Sequence, residues 1–152
     1  MIKSRAVLAA SAVFLSAALA ANYIILNKKP EIESSQVLTW DCEIPTYKPE
    51  SIIIYCGDGG AYIDKITWNN WSKKGARGIG EYHRNLCEPN CADGKLVHAP
   101  VTVRLTELTP RKDKYYLRTL DMSSTSGKDF PWGESGVFEW DVMEFAEMMD
   151  WD

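Results

Sequence analysis

The chain has 152 residues, with 17 Lys and Arg against 21 Asp and Glu and a net charge of −4. Two of the basic residues, Lys3 and Arg5, precede an apolar N-terminal run, so 15 basic and 21 acidic residues follow it. This acidic balance argues against a nucleic-acid partner, because nucleic-acid binding depends on neutralising phosphates. The length that remains after the N-terminal run fits one domain and excludes tandem domains.

The first 26 residues have the pattern of an export signal. Lys3 and Arg5 precede an apolar run over residues 6–26, an arrangement that leads the following chain across a membrane. The Ala-Leu-Ala sequence at 18–20 predicts a signal-peptidase site, whereas the whole run of 21 residues is also long enough to remain as an anchor. We therefore expect the protein to be secreted or anchored to the outer face of the cytoplasmic membrane. If the N-terminal segment is not cleaved, it is the membrane contact.

A polar stretch without periodicity over residues 27–41 predicts a linker, and residues 42–152 are expected to form one disulfide-bonded β domain. All four cysteines lie after the targeting segment, and an even number in an exported chain predicts two disulfides. Four cysteines allow three connectivities. Proximity in sequence favours Cys42 with Cys56 and Cys87 with Cys91.

The second cysteine pair also belongs to a zinc-binding pattern. His83, Cys87, Cys91 and His98 are spaced as H-x3-C-x3-C-x6-H and offer four ligands of suitable type. Thiols outside the cell usually pair with each other. Disulfides are therefore favoured over zinc, and no metal or other cofactor is predicted.

The chain after Cys42 shows short strand patterns bounded by turn residues. The alternation of apolar and polar residues is clearest over 101–106, directly after Pro100. Further strands are predicted over 51–56, 62–68, 78–86, 114–122 and 137–140. Six strands without intervening helices predict a mainly β fold, an antiparallel β-sandwich or barrel, preceded by the N-terminal hydrophobic export helix.

A short acidic helix is predicted at the end of the chain, over residues 141–149. Asp141 and Glu144 form a D-x-x-E capping pattern. Residues 65–118 carry 11 basic and 5 acidic side chains, whereas residues 119–152 carry 1 basic and 9 acidic. We therefore expect the helix to dock on its own β domain with its acidic residues near cations of the central segment. The apolar stripe expected to face the domain is Val142, Phe145, Ala146 and Met149.

Several short motifs occur together between residues 49 and 105. They are C-G-D-G at 56–59, W-N-N-W at 68–71, Ala76, Gly78 and Gly80, N-L-C-E-P-N-C-A-D-G at 85–94, and P-V-T-V at 100–103. In this combination, above all W-x2-W with C-x-P-x-C-A-x-G, the chain resembles a family of small secreted or membrane-anchored actinobacterial proteins of unknown function. The resemblance implies export and a disulfide-bearing β fold, and it implies no activity.

No catalytic signature is present. There is no G-x-S-x-G sequence, and His83 is the better placed of two histidines to act as a base for a serine nucleophile. A pair of catalytic carboxylates cannot be selected among 21 acidic residues. An extracellular hydrolase that uses His83 or carboxylates is therefore one alternative, and a structural envelope protein is another.

An exported, disulfide-bonded β scaffold without assigned catalytic residues favours a binding or interaction module over an enzyme. The predicted binding patch is Trp71, Lys73, Lys74 and Arg77, because Trp71 falls in a polar stretch beside three cations. The alternative for Trp71 is that it only covers one end of the β structure. The expected partner is an extracellular or envelope protein or a glycan.

Overall fold

A computed structural model of the protein describes residues 31–42 and 44–149. The predicted export segment over 1–26 and the first residues of the predicted linker lie outside this range. The residues from Ile32 onward form one compact unit. Within the described residues, no helix is both long and apolar enough to cross a membrane.

The unit is mainly β, with a curled sheet of eight strands and one short C-terminal helix. A single turn of 3₁₀ helix at Ser34–Gln36 precedes the first strand. The strands are β1 (Val37–Asp41), β2 (Ile44–Thr46), β3 (Ile52–Ile53), β4 (Ala61–Ser72), β5 (Gly75–Asn85), β6 (Leu96–Arg111), β7 (Lys114–Ser124) and β8 (Val137–Asp141), and the helix is α1 (Glu144–Met148).

The strands follow the order β2-β1-β7-β6-β5-β4-β3, and β8 also pairs with β7. All pairs are antiparallel except β1 with β7, which is parallel. The mainly β prediction is confirmed, whereas the sheet has eight strands where about six were expected, and one of its pairings is parallel. The additional strands β1 and β2 lie at one end of the strand order, and their five and three residues show no clear alternation of apolar and polar side chains.

Strand β7 is paired along both of its edges. On one edge it lies beside β6, and on the other its beginning pairs with β1 and its residues 119–123 pair with β8. Between these two partners, the Thr39 hydroxyl donates to the Leu117 carbonyl at 3.1 Å, and the Val142 amide donates to the Arg118 carbonyl at 3.0 Å. The strand is therefore hydrogen-bonded across the gap between β1 and β8.

The predicted linker over 27–41 is wrong in its last five residues, which form β1. Val37 is fully buried and Trp40 is 3 % exposed. The Trp40 ring packs on Tyr116 at a centroid distance of 5.4 Å. Burial against β7 stabilises this segment, whereas its own sequence is too short and too polar at its flanks to show a strand pattern.

Helix α1 docks on the sheet as expected, but it begins later than predicted. Its N-cap is Met143 and not Asp141, which belongs to β8. The Asp141 Oδ2 atom accepts hydrogen bonds from the Arg118 guanidinium, at 2.6 and 2.8 Å, and Oδ1 accepts one from the Met143 amide at 2.9 Å. Met143 and Ala146 are fully buried, whereas Met149, expected in the apolar stripe, is 47 % exposed.

The two disulfides join Cys42 to Cys56 and Cys87 to Cys91, the pairing favoured from the sequence. The first connects the end of β1 to the segment after β3. The second closes a short loop between β5 and β6 and leaves no free thiol. The zinc pattern considered above therefore has no thiolate ligands.

Candidate functional site

The face of the sheet that carries the buried apolar cluster is called the inner face here, and the opposite face the outer face. Trp71, expected in a surface patch, lies on the inner face and is 6 % exposed. Its indole Nε1 donates to the Val37 carbonyl at 2.7 Å, and its ring meets Trp68 edge-on at 4.9 Å. The prediction that Trp71 contacts a ligand is therefore wrong. Strand β4 continues through Ser72, so the polar stretch around Trp71 is a strand and not a loop.

The three cations of the predicted patch remain at the surface. Lys73 and Lys74 form the β4–β5 turn, and Arg77 lies on the outer face of β5. None of the three forms an ion pair with a described residue. Lys74 and Arg77 line a hollow of about 430 Å³ together with Arg104 of β6, whose guanidinium is paired with Asp121 at 3.0 Å. The cationic residues of the predicted patch are thus exposed in the structure, whereas its aromatic residue, Trp71, is buried.

The outer face of β5 and β6 extends from this hollow to a group of histidines and carboxylates. At about 3.3 Å per residue, the distance from Arg77 to His83 along β5 is about 20 Å. The residues directly opposite each other on this face are Arg77 and Arg104, Ile79 and Thr102, Glu81 and Pro100, and His83 and His98.

His83 is the centre of the second group. Its Nε2 lies 3.0 Å from Asp64 Oδ1 on β4 and 3.2 Å from Glu81 Oε1 on β5. Its ring stacks on Tyr62 at 4.6 Å and meets His98 edge-on at 5.6 Å. Although it faces outward, His83 is only 7 % exposed, because rings from both neighbouring strands cover it.

A β-bulge in β4 directly follows Asp64 and brings Lys65 to the same face. Asp64 pairs with Glu81 but Thr67 pairs with Ile79, so β4 has one residue more than β5 between these pairs. As a result Asp64 and Lys65 both lie on the outer face, one beside His83 and the other beside Glu81.

Gly80 leaves room for this bulge. A Cβ atom at Gly80 would lie 2.9 Å from the Asp64 carbonyl oxygen and 2.9 Å from Ile63 Cγ2. Real Cβ atoms essentially never approach other heavy atoms this closely. The close approach of the two strands therefore requires glycine at this position.

Glu81 is held in its charged form by its neighbours. Its carboxylate accepts a hydrogen bond from Lys65 Nζ at 2.7 Å. This hydrogen bond, and then the charges of Lys65, His98 and His83, hold the pKa of Glu81 below its usual value, although desolvation opposes them. An anionic oxygen is therefore available beside the two imidazoles at neutral pH.

On the inner face, Tyr82, the residue next to His83, ties β5 to the loop that contains Glu134. The Tyr82 hydroxyl lies 3.2 Å from Glu134 Oε1, and Trp132 Nε1 donates to Glu134 Oε2 at 2.8 Å. Burial, and then the neighbouring Glu134 carboxylate, raise the pKa of Tyr82. Tyr82 therefore stays protonated and fixes the strand from which His83 points outward.

The predicted site residues are thus divided between two places. His83 and His98 come together as the H-x3-C-x3-C-x6-H spacing suggested, but with Glu81 and Asp64 in place of the cysteines. The E-x-H sequence of β5 could have indicated this, since residues two apart on a strand share a face. In the part of the chain that the structure describes, no hydroxyl group hydrogen-bonds to His83, so a serine nucleophile for the hydrolase alternative is not in place.

Comparison with known proteins finds no relative of this chain. The two places on the outer face are therefore interpreted from their own geometry and charge. No protein-family model, curated protein or solved structure matches the chain.

Proposed function

We propose that the protein is a binding module that acts outside the cytoplasm and recognises an anionic ligand at the hollow beside the β4–β5 turn. The observation that carries this proposal is the absence of any described ion pair for Lys74 and Arg77, which line the same hollow. Lys74, Arg77 and Arg104 line one hollow, and only Arg104 has an acidic partner among the described residues, so positive charge is concentrated there. Cations left without such a partner can attract an anion from solution.

Arginine suits this role because its planar guanidinium binds carboxylate and phosphate groups through two parallel hydrogen bonds. Lys74 adds positive charge to the hollow, and Lys73 precedes it in the β4–β5 turn. A ligand with closely spaced acidic groups fits this arrangement. We therefore propose an acidic glycan or acidic protein of the cell envelope as the partner.

The proposed location follows from the N-terminal export pattern and from the disulfides. Two disulfides fit an oxidising compartment. We propose that the protein is secreted or anchored to the outer face of the cytoplasmic membrane, in keeping with the resemblance to small secreted actinobacterial proteins. An extracellular hydrolase is the less supported alternative, since no described hydroxyl group contacts His83.

Retention on immobilised heparin, a strongly anionic glycan, tests the proposal with the full-length chain in detergent. We expect retention that decreases with salt, and an affinity for heparin about tenfold weaker in Arg77→Glu. The matched control is Lys128→Glu, which makes the same charge change in the exposed loop after β7. Equal losses in both variants would show an effect of net charge alone and would contradict a site at the hollow.

A further inference from the structure

Three potential metal ligands converge on the outer face of β5 and β6. Glu81, His83 and His98 each offer one ligand atom, and these three atoms lie within 4.8 Å of one another. Two of the residues are separated by one position on β5, and the third lies directly opposite His83 on β6. The pairing of the strands therefore holds the three donors together without a loop.

Both imidazoles have nitrogen atoms that the described protein does not use. His83 Nδ1 is buried and has no hydrogen-bond partner among the described residues, in a side chain that is 9 % exposed. His98 is exposed, and within the described chain its ring contacts His83 but its nitrogens form no hydrogen bond. His83 thus directs Nε2 toward the carboxylates, and both nitrogens of His98 are uncommitted within the described chain.

We propose that Glu81, His83 and His98 bind a divalent transition-metal ion, and that the ion is Zn²⁺. Two imidazoles and one carboxylate form a donor set that suits zinc, whereas Ca²⁺ and Mg²⁺ prefer sites made of oxygen alone. Two ligands of a tetrahedral zinc ion lie about 3.3 Å apart. His83 Nε2 and Glu81 Oε1 are already 3.2 Å apart, and the exposed His98 can rotate toward them.

Asp64 completes the surroundings of this site. Its carboxylate lies 3.0 Å from His83 Nε2, the same nitrogen that faces Glu81, so it can supply a fourth oxygen ligand. Together the Asp64 and Glu81 carboxylates balance the two charges of the ion. Lys65, whose side chain is 69 % exposed, releases Glu81 by rotating into solvent. The metal would then join β4, β5 and β6 on the outer face.

Zinc titration of the full-length chain tests this proposal. The chain is purified in detergent without a histidine tag and without reductant, so that the cysteines stay paired, and ZnCl₂ is added in competition with a chromophoric chelator. We expect one zinc ion per chain. Because the sequence contains only two histidines, imidazole nitrogen NMR reports both ligands separately, and both signals should shift.

Two variants identify the ligands. His98→Ala and Glu81→Gln should each weaken zinc binding at least about tenfold. Glu139→Gln, which removes an exposed carboxylate of β8, serves as the control and should bind as the wild type does. His98 is exposed, so its replacement should leave the thermal melting curve unchanged.

The proposal is overturned if no zinc binds, if only one imidazole signal shifts, or if His98→Ala binds as tightly as the wild type. These outcomes are independent of the heparin experiment, because Arg77 and the metal ligands lie at opposite ends of the outer face. A chain that binds zinc but not heparin would refute the proposed function alone.

Discussion

The two faces of the β4–β5 hairpin give residues from one stretch of sequence opposite environments. Trp71 and Arg77 are six positions apart and were both expected at the surface. In the structure Trp71 lies inside, opposite Ala76, whereas Arg77 lies outside, opposite Asn70. Successive side chains of a strand point to opposite faces of the sheet, so a buried residue is followed by one at the surface. The charges that surround an aromatic residue in a sequence are therefore a poor guide to its exposure when the chain is a strand.

The two faces are also held together by different forces. Tight packing dominates the inner face, where a lost ring leaves a cavity. Hydrogen bonds and ion pairs between partly exposed groups dominate the outer face, where water replaces a lost partner. Substitutions on the inner face should therefore change stability much more than substitutions on the outer face.

Trp71→Ala is the strongest test of this difference. Truncating a buried tryptophan typically costs about 3–5 kcal/mol, and Val37 also loses the hydrogen bond to its carbonyl. We expect the melting temperature to fall by more than about 10 °C. Arg77→Ala, as the partner variant on the outer face, should change the free energy of unfolding by less than about 0.5 kcal/mol. Nearly equal melting curves for the two variants would refute the assignment of the faces.

Gly80→Ala should have an intermediate effect, because it adds an atom where the two strands approach most closely. A clash with the Asp64 carbonyl and Ile63 forces the bulge to shift, at a cost of about 1–3 kcal/mol. Gly57→Ala is the matched control, since its Cβ would meet no atom within 4 Å. Urea unfolding of both variants measures the difference. If the two lose equal stability, the close approach at Gly80 does not constrain the bulge.

Lys65→Met should have the smallest effect on stability, since Lys65 is exposed. Its removal should instead raise the pKa of Glu81, whose depression depends mainly on the Lys65 hydrogen bond. A carboxyl with a lowered pKa in the folded state stabilises the fold above its unfolded pKa and loses this contribution as the pH falls. The difference in stability between wild type and variant should therefore be present at neutral pH and vanish in acid. Carboxyl ¹³C NMR titration measures the shift directly, and an unchanged Glu81 pKa would contradict it.

The sequence alone predicts those parts of the fold that depend on local pattern. Val101, Val103 and Leu105 alternate with polar residues, and all three are fully buried. Both disulfides join cysteines that are close in sequence. In contrast β1 depends on β7, and the hydrogen bond from Thr39 to Leu117 spans 78 positions. No local pattern carries information about a partner so far away.

The same division applies to the candidate sites. The cations of the predicted patch could be located because charged side chains remain at the surface wherever the backbone places them. His83 and His98 could be paired by spacing, but their carboxylate partners depend on the register of three strands and on a bulge. Register is a tertiary property, set by inner-face packing, so Asp64 could not be assigned to the site beforehand.

The parallel pairing of β1 with β7 has a consequence for how the chain folds. Strand β1 emerges early during synthesis, whereas its partner β7 emerges only after β2 to β6. Contacts between residues far apart in sequence slow folding, because the intervening chain must first be ordered. The β4–β7 meander can assemble from neighbouring strands, and β1 can be added only when β7 is in place. Until then the apolar side chains of β1, Val37 and Trp40 among them, are not covered by the strand against which they are buried in the folded chain.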